Sequence, residues 1–213
     1  MKQKMAAAEH QTMHWEAQEK KILAVAARLF WEKGYVGASI DEIAKKANMN
    51  KALIYYYFEN KSTLLFKIVS APLQKLIEIA KPIANSNSGP TEKLRSLITS
   101  HIKWQLSHLG LTGIGHVERK NLSPRIRPKY LQMRDQYDAL FRKVIKEGID
   151  KGEFSFPDAK MGSLFTLGLL TSIIQWYNSK GKYSPDEVAS LACKYVLEAL
   201  GSVSSTRKQS SIE

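Results

Sequence analysis

The chain has 213 residues, 44% of them hydrophobic, with 32 Lys and Arg against 20 Asp and Glu for a formal net charge of +12. That apolar content excludes wholesale disorder and suits one large domain or two small ones sharing a core. The positive balance points to a polyanion: nucleic acid, an anionic membrane or a phosphorylated small molecule. The lone Cys193 excludes an intrachain disulfide framework and a cysteine-based zinc site. His10, His14, His101, His108 and His116 fall into no metal signature. Neither a metal nor a cofactor is expected. The N-terminus lacks an apolar run long enough for secretion, and no stretch approaches about 18 apolar residues. A soluble, cytoplasmic chain with no membrane partner is therefore expected.

Residues 1–12 read as a flexible arm. A helix follows over about 12–33, with Ile22, Ala26, Leu29 and Phe30 on one face, and Gly34 ends it. Ser39 and Glu42 have the spacing of a capping box, the serine oxygen and the glutamate carboxylate each taking a free amide at a helix start. Ile40, Ile43, Ala44 and Ala47 form the buried stripe of this short helix. Asn48, Met49 and Asn50 make a turn, and asparagine also suits the start of the next helix. That third helix covers 51–58, with Ile54 and Phe58 inward. Asn60 or Lys61 opens a fourth, carrying Leu64, Leu65, Ile68 and Val69, and Pro72 is expected to bend or end it.

Residues 85–91 are a polar linker with Gly89 and Pro90. A helix over 91–109 runs through Leu94, Leu97, Ile98, Ile102 and Leu106. Residues 110–115 read as a break and 116–122 as a short helix. A long amphipathic helix covers 124–151, closed by Gly152. The segment 158–180 is apolar nearly all round and is expected to be buried between other helices. Ser184 and Glu187 form a second capping box, with Pro185 at the first helical position. The last helix stops at Gly201. No strand-period segment and no internal repeat is found, so the expected fold class is all-α, of about nine helices.

The chemistry concentrates around the turn at 48–50. A recognition helix must enter a groove about 12 Å wide with donors and acceptors near its N-terminus. Lys51 can donate to guanine O6 or N7, or to a phosphate; Ala52 allows close approach to a thymine methyl. Tyr55, Tyr56 and Tyr57 point in three directions about 100° apart, so one core cannot bury all three. Their hydroxyls suit phosphates and their rings suit sugars and methyls. Lys61 adds charge at the next helix start.

Residues 18–66 resemble the N-terminal domain of the TetR family of bacterial transcriptional regulators. The likeness spans KILAVAARLFWEKGY, SIDEIAKKANM and NKALIYYYFENKSTLL. It implies a homodimer whose recognition helices enter successive major grooves of a palindromic, double-stranded operator. Ser39 matches a phosphate-contacting position; Lys51, Ala52 and Tyr55 match base-facing ones; Tyr56, Tyr57 and Lys61 match backbone-contacting ones. Leu53 replaces a commonly small or hydroxylated residue, and reads a methyl or packs. Tyr57 stands where many relatives have His, and Asp41 where some carry a basic base-reading residue, which puts that contact in doubt. The implied organisation is a helix-turn-helix domain over 1–67, a ligand-binding and dimerisation domain over 68–201, and a disordered tail over 202–213.

The phrases LSPRIRPKY, IKEGIDKGEFSFPDA and IIQWYNSKGKYSPDEVA resemble, more loosely, a branch that includes fatty-acid and steroid degradation repressors, several of which release DNA on binding an acyl-CoA. A CoA thioester needs cations for its phosphates and an apolar tunnel for its chain. Arg119, Lys120 and Arg125, with Arg127 and Lys129, could supply the first. Ile98, Ile102, Leu106, Phe141, Phe165, Leu169 and Trp176 could supply the second. A solvated basic face and plain core are the competing readings. Dimerisation is expected on the last two long helices, through Gly162, Gly168 and Ser172 on one and Ala189, Ala192, Cys193 and Val196 on the other.

The expected function is a ligand-responsive repressor released from its operator by a small-molecule effector of acyl-CoA type. An efflux-pump repressor sensing hydrophobic drugs is the alternative, and a lipid carrier without DNA binding a remote one. No nucleophile elbow, catalytic carboxylate pair or metal set marks an enzyme.

Overall fold

A computed structural model of the chain describes residues 2–202, with side chains from Trp15 onward. The expected disordered tail beyond residue 202 lies outside the described residues. Among the described residues there are nine α-helices and no strand: α1 (Lys2–Gly37), α2 (Ile40–Ala47), α3 (Lys51–Tyr57), α4 (Lys61–Ala84), α5 (Pro90–Ser107), α6 (Leu109–Glu118), α7 (Arg127–Asp150), α8 (Ala159–Trp176) and α9 (Pro185–Ala199). A 3-10 turn, Arg119–Asn121, follows α6. The all-α expectation holds. The chain divides into two compact units, one of Met1–Pro72 with Gly110–Tyr130, the other of Leu73–Leu109 with Leu131–Glu213.

In the first unit, Ile22, Ala26, Leu29 and Phe30 of α1 pack with Ile43, Ile54, Phe58, Leu64, Leu65 and Ile114. The helix starts at Lys2, so the backbone of the segment read as a loose arm extends α1. Residues 2–33 hold no Gly or Pro and many Ala, Lys, Glu and Gln, all good helix formers. Gly34 leaves the helical region at φ 71 and ψ 164, kinking the chain before Gly37. Ser39 caps α2 as expected, its oxygen accepting from the Glu42 amide at 3.1 Å. The other half of the expected box is missing: the Glu42 carboxylate instead accepts from Lys33 Nζ at 2.6 Å, a charge-assisted bond stronger than one to a neutral amide.

Two breaks expected from sequence do not occur. Helix α4 continues through Pro72 to Ala84. Proline costs the helix a hydrogen bond and some steric strain. Buried residues on both sides offset this: Ile68 and Val69 in the first unit's core, Leu76, Ala80 and Ala84 in the second's. The glycines at 110–115 lie inside helix α6, and 116–122 is the end of α6 plus the 3-10 turn. A Cβ on Gly113 would stand 2.8 Å from Trp31 Cζ3, and one on Gly115 would stand 3.5 Å from the Val69 carbonyl oxygen. Gly113 at least is there for close packing rather than for a turn.

In the second unit, α5 is surrounded by α7, α8 and α9 side chains in one core that includes Leu97, Ile98, Ile102, Phe141, Leu170, Ile173, Ala189 and Val196. Gly89 cannot cap α5 with a side chain. The Glu153 carboxylate does so instead, accepting from the Thr91 amide at 3.1 Å and the Thr91 hydroxyl at 2.6 Å. Buried Lys93 donates to Glu147 at 2.8 Å; Lys151 and then Lys93 hold that carboxyl down to about 2. At α9 the full capping box forms, Ser184 Oγ accepting from the Glu187 amide at 3.3 Å and Glu187 from the Ser184 amide at 2.8 Å.

Helix α8 is not buried all round. Met161, Leu164, Phe165 and Trp176 are exposed, because the buried stripe is Gly162, Ser163, Thr166, Leu170 and Ile173, with Leu167 and Leu169 partly buried beside it. The small residues of α9 point the other way from the expected partner surface. Ala189, Ala192, Cys193 and Val196 are buried in this chain's own core, leaving Leu191 and Tyr195 outward. Cys193 Sγ lies 3.5 Å from Thr99 Oγ1 and 3.6 Å from the Arg95 carbonyl oxygen, and burial pushes its thiol pKa up.

Candidate nucleic-acid interface

Local chemistry builds the turn between α2 and α3. Asn48 takes the left-handed conformation at φ 53 that ends α2, a conformation asparagine tolerates better than most residues. Asn50 Oδ1 then accepts from the Leu53 amide at 2.7 Å and starts α3. Ile54 and Phe58 anchor this short helix in the core. With that face fixed, the remaining positions must point out. Lys51 and Ala52 are exposed and Leu53 is half-buried.

The three tyrosines divide. Tyr55 is 46% and Tyr56 68% exposed, while Tyr57 is half-buried. Trp15 of α1, which sequence reasoning missed, lies against the last two, its ring centroid 4.9 Å from that of Tyr56 and 4.3 Å from that of Tyr57. No local pattern could have paired it with residues so distant in the chain. Ser39 is exposed, and since its oxygen already accepts, its hydroxyl proton is the part left for a phosphate. Lys61 is half-buried, its ammonium 4.4 Å from the Tyr35 ring centroid. Burial lowers its pKa, against the pull of Glu118. The Lys51 ammonium lies 2.9 Å from Asp41 Oδ1 and 3.0 Å from Oδ2.

The residues predicted for an effector do not form one cluster. Ile98, Ile102, Leu106 and Phe141 are buried together in the second unit's core, with Leu169 partly buried against it. Phe165 and Trp176, expected to line an internal cavity, are 61% and 62% exposed on the outside of α8. Arg119, Lys120 and Arg125 are exposed and belong to the first unit. Arg119 contacts His116 Nδ1 at 3.1 Å and Arg125 reaches Glu59 at 4.0 Å. Sequence reading missed the polar centre of the core: His101 Nδ1 lies 2.8 Å from the Tyr137 hydroxyl. Burial lowers the His101 pKa to about 4, against a weaker pull from Gln105. Among the described residues no helix is long and apolar enough to cross a membrane.

Two short helices joined through an asparagine-capped turn, the second displaying a lysine and two tyrosines, define a helix-turn-helix DNA-binding head attached to a helical unit with its own core. Residues 22–68 match the family described as bacterial regulatory proteins, tetR family, and residues 87–200 match the tetracyclin repressor-like C-terminal domain. The chain belongs to the TetR family, and it is a DNA-binding transcriptional regulator rather than an enzyme. The HTH-type transcriptional repressor KstR2 of Rhodococcus jostii is 25% identical over 184 residues, 85% of this chain and 90% of that protein. The TetR family regulator PfmR of Thermus thermophilus superposes with a TM-score of 0.75 at 27% identity, over 83% of this chain and 97% of PfmR. AibR, solved with isovaleryl coenzyme A and operator DNA, has the same fold with a TM-score of 0.76 at 24% identity, over 84% of this chain and 97% of AibR.

Proposed function

We propose that this chain is a cytoplasmic, homodimeric repressor that holds a palindromic operator until an acyl-CoA occupies its C-terminal helical domain. The observation that carries the DNA half is the outward face of α3, where Lys51, Ala52, Tyr55 and Tyr56 are exposed while Ile54 is fully buried. Lys51, Ala52 and Tyr55 face bases, with Leu53 at the edge of that surface. Ser39, Tyr56, Tyr57 and Lys61 serve the backbone. Two copies would place two such helices about one helical turn apart, near 34 Å. The exposed apolar stripes of α8 (Met161, Leu164, Phe165) and α9 (Leu191, Tyr195) support pairing with a second copy, because a face of this kind is seldom left in water.

For the effector, Ile98, Ile102, Leu106, Phe141 and Leu169 supply apolar lining, and His101 with Tyr137 a hydrogen-bonding group among them. AibR's complex with isovaleryl coenzyme A supports the ligand class. The effector acts only by binding the DNA-free state better than the DNA-bound one.

Operator binding by fluorescence anisotropy, titrated with acyl-CoAs of graded chain length, tests this. Release at micromolar acyl-CoA is expected, with Lys51→Ala and Tyr55→Ala each weakening operator binding by about 10- to 100-fold while leaving acyl-CoA binding unchanged. No release by any chain length would overturn the effector assignment, and undiminished operator binding by both variants would overturn the DNA face.

A further inference from the structure

The sequence placed an acid, Asp41, on the DNA-facing side of α2 with no function for it. In the structure its carboxylate straddles the Lys51 ammonium, with both oxygens within 3.0 Å of Nζ. The pair stays in solvent: the Lys51 side chain is 51% and that of Asp41 68% exposed. Exposed ion pairs add little to stability, and a carboxylate on a DNA-binding surface repels phosphate. Helix α2 already has its cap from Ser39. As a first-turn acid Asp41 also favours the α2 dipole, a small effect at an exposed helix end, but that role does not call for Lys51 as its partner.

What the pair offers a major groove is a donor next to an acceptor. Lysine has three N–H groups and the carboxylate about four lone-pair positions, so each keeps capacity after meeting the other. A carboxylate can only accept, and the major-groove donors are cytosine N4 and adenine N6. Guanine O6 and cytosine N4 are hydrogen-bonded to each other across their base pair, and hence about 2.9 Å apart. The Lys51–Asp41 separation of 2.9 Å matches that spacing, which adenine N6 and thymine O4 share, so the flanking groups decide between the pairs. At an A·T pair the adenine donor is flanked by acceptors on both sides, N7 and the thymine O4, which would face a carboxylate with repulsion.

We propose that Asp41 and Lys51 read one G·C pair of each half-site as a unit, Lys51 donating to guanine and Asp41 accepting from cytosine N4. The assignment rests on the recognition-helix reading of α3 and adds to it a specificity-determining residue on α2.

Selection from a random duplex pool, followed by affinity measurements at fixed salt on single base-pair variants of the selected operator, tests it. The wild type should prefer G·C at one symmetric position by about 5- to 100-fold. Asp41→Ala should lose most of that preference at that position alone, while binding nonspecific duplex more tightly because a repulsive charge is gone. Asp41→Asn should move the preference towards A·T, since an amide reads adenine. Lys51→Ala should relax the same base pair. Unchanged base preference in Asp41→Ala, with uniformly tighter binding, would overturn the proposal by making Asp41 a simple electrostatic brake. So would loss of preference at two different base pairs in the Asp41 and Lys51 variants. A wild-type protein that prefers no sequence over nonspecific duplex would instead overturn the recognition-helix reading beneath it.

Discussion

Trp15 of α1 packs its indole 4.3 Å from the ring of Tyr57, at the far end of the recognition helix. The same indole meets Tyr56 edge-on at 4.9 Å, so a residue from the first helix orders two tyrosines assigned to the DNA backbone. Aromatic pairs of this kind contribute about 0.5–1.5 kcal/mol each. Trp15→Ala is expected to weaken operator binding by about tenfold, with Trp15→Phe retaining most of the affinity. Anisotropy titrations read this directly. An unchanged Kd in Trp15→Ala would mean the tyrosines hold their places unaided.

Gly148 lies in α7 where a Cβ would run into the ring of Phe154, a buried core residue. Gly148→Ala should destabilise the protein by about 1–3 kcal/mol, the usual cost of overpacking a core. Gly110 has nothing within 4 Å of its would-be Cβ, so Gly110→Ala should be neutral or stabilising by up to about 1 kcal/mol. Thermal unfolding should come at a lower temperature for Gly148→Ala and at an unchanged or higher one for Gly110→Ala.

Glu153 caps α5 from across the second unit. Glu153→Ala should cost about 1–2 kcal/mol in urea unfolding. Glu153→Gln, which keeps an acceptor oxygen, should recover part of it. Equal loss in both variants would point to the charge rather than to the cap.

His101 sets a pH dependence. In the unfolded chain a histidine titrates near 6.5, while burial in the folded protein lowers His101 to about 4. Between those values the unfolded state binds a proton that the folded state does not. Stability is therefore full above about 6.5, falls as pH drops, and levels off near 4, with a limiting slope of about tenfold in the unfolding constant per pH unit. Burial also lowers the His116 pKa, which adds with the same sign. Glu147, held at about 2, contributes stability that is full above the ordinary carboxylate range and is lost progressively as pH falls from that range to its lowered value. Chemical denaturation from pH 4.5 to 7 should show the slope, and His101→Gln should flatten most of it.

The DNA-binding head was legible because its signals are local. Ser39, Asn48 and Asn50 each act within a few residues of themselves, and Ile54 and Phe58 recur at the helix period. What was not legible came from partners far away in the chain. Gly113 reads as a helix breaker until Trp31 is found lying against it. The start of α5 looks uncapped until Glu153 arrives. Pro72 reads as a bend or an end, yet burial on both sides carries α4 past it to Ala84. The apolar girth of α8 implies burial, but composition does not distinguish burial within a chain from burial between two chains. Phe165 and Trp176 were misplaced because composition does not say which face of α8 meets this chain's own core.

The position of Cys193 makes the protein its own labelling probe. Its thiol is the single one in the sequence and lies buried on the inner side of α9, close to Thr99 and Arg95 of α5. A maleimide can reach it only when α9 lifts away from α5. The rate of modification thus times that opening, with no engineered label. If the outer side of α9 lies in a seam between two copies, diluting the protein should speed the reaction, turning one sulfur atom into a gauge of self-association.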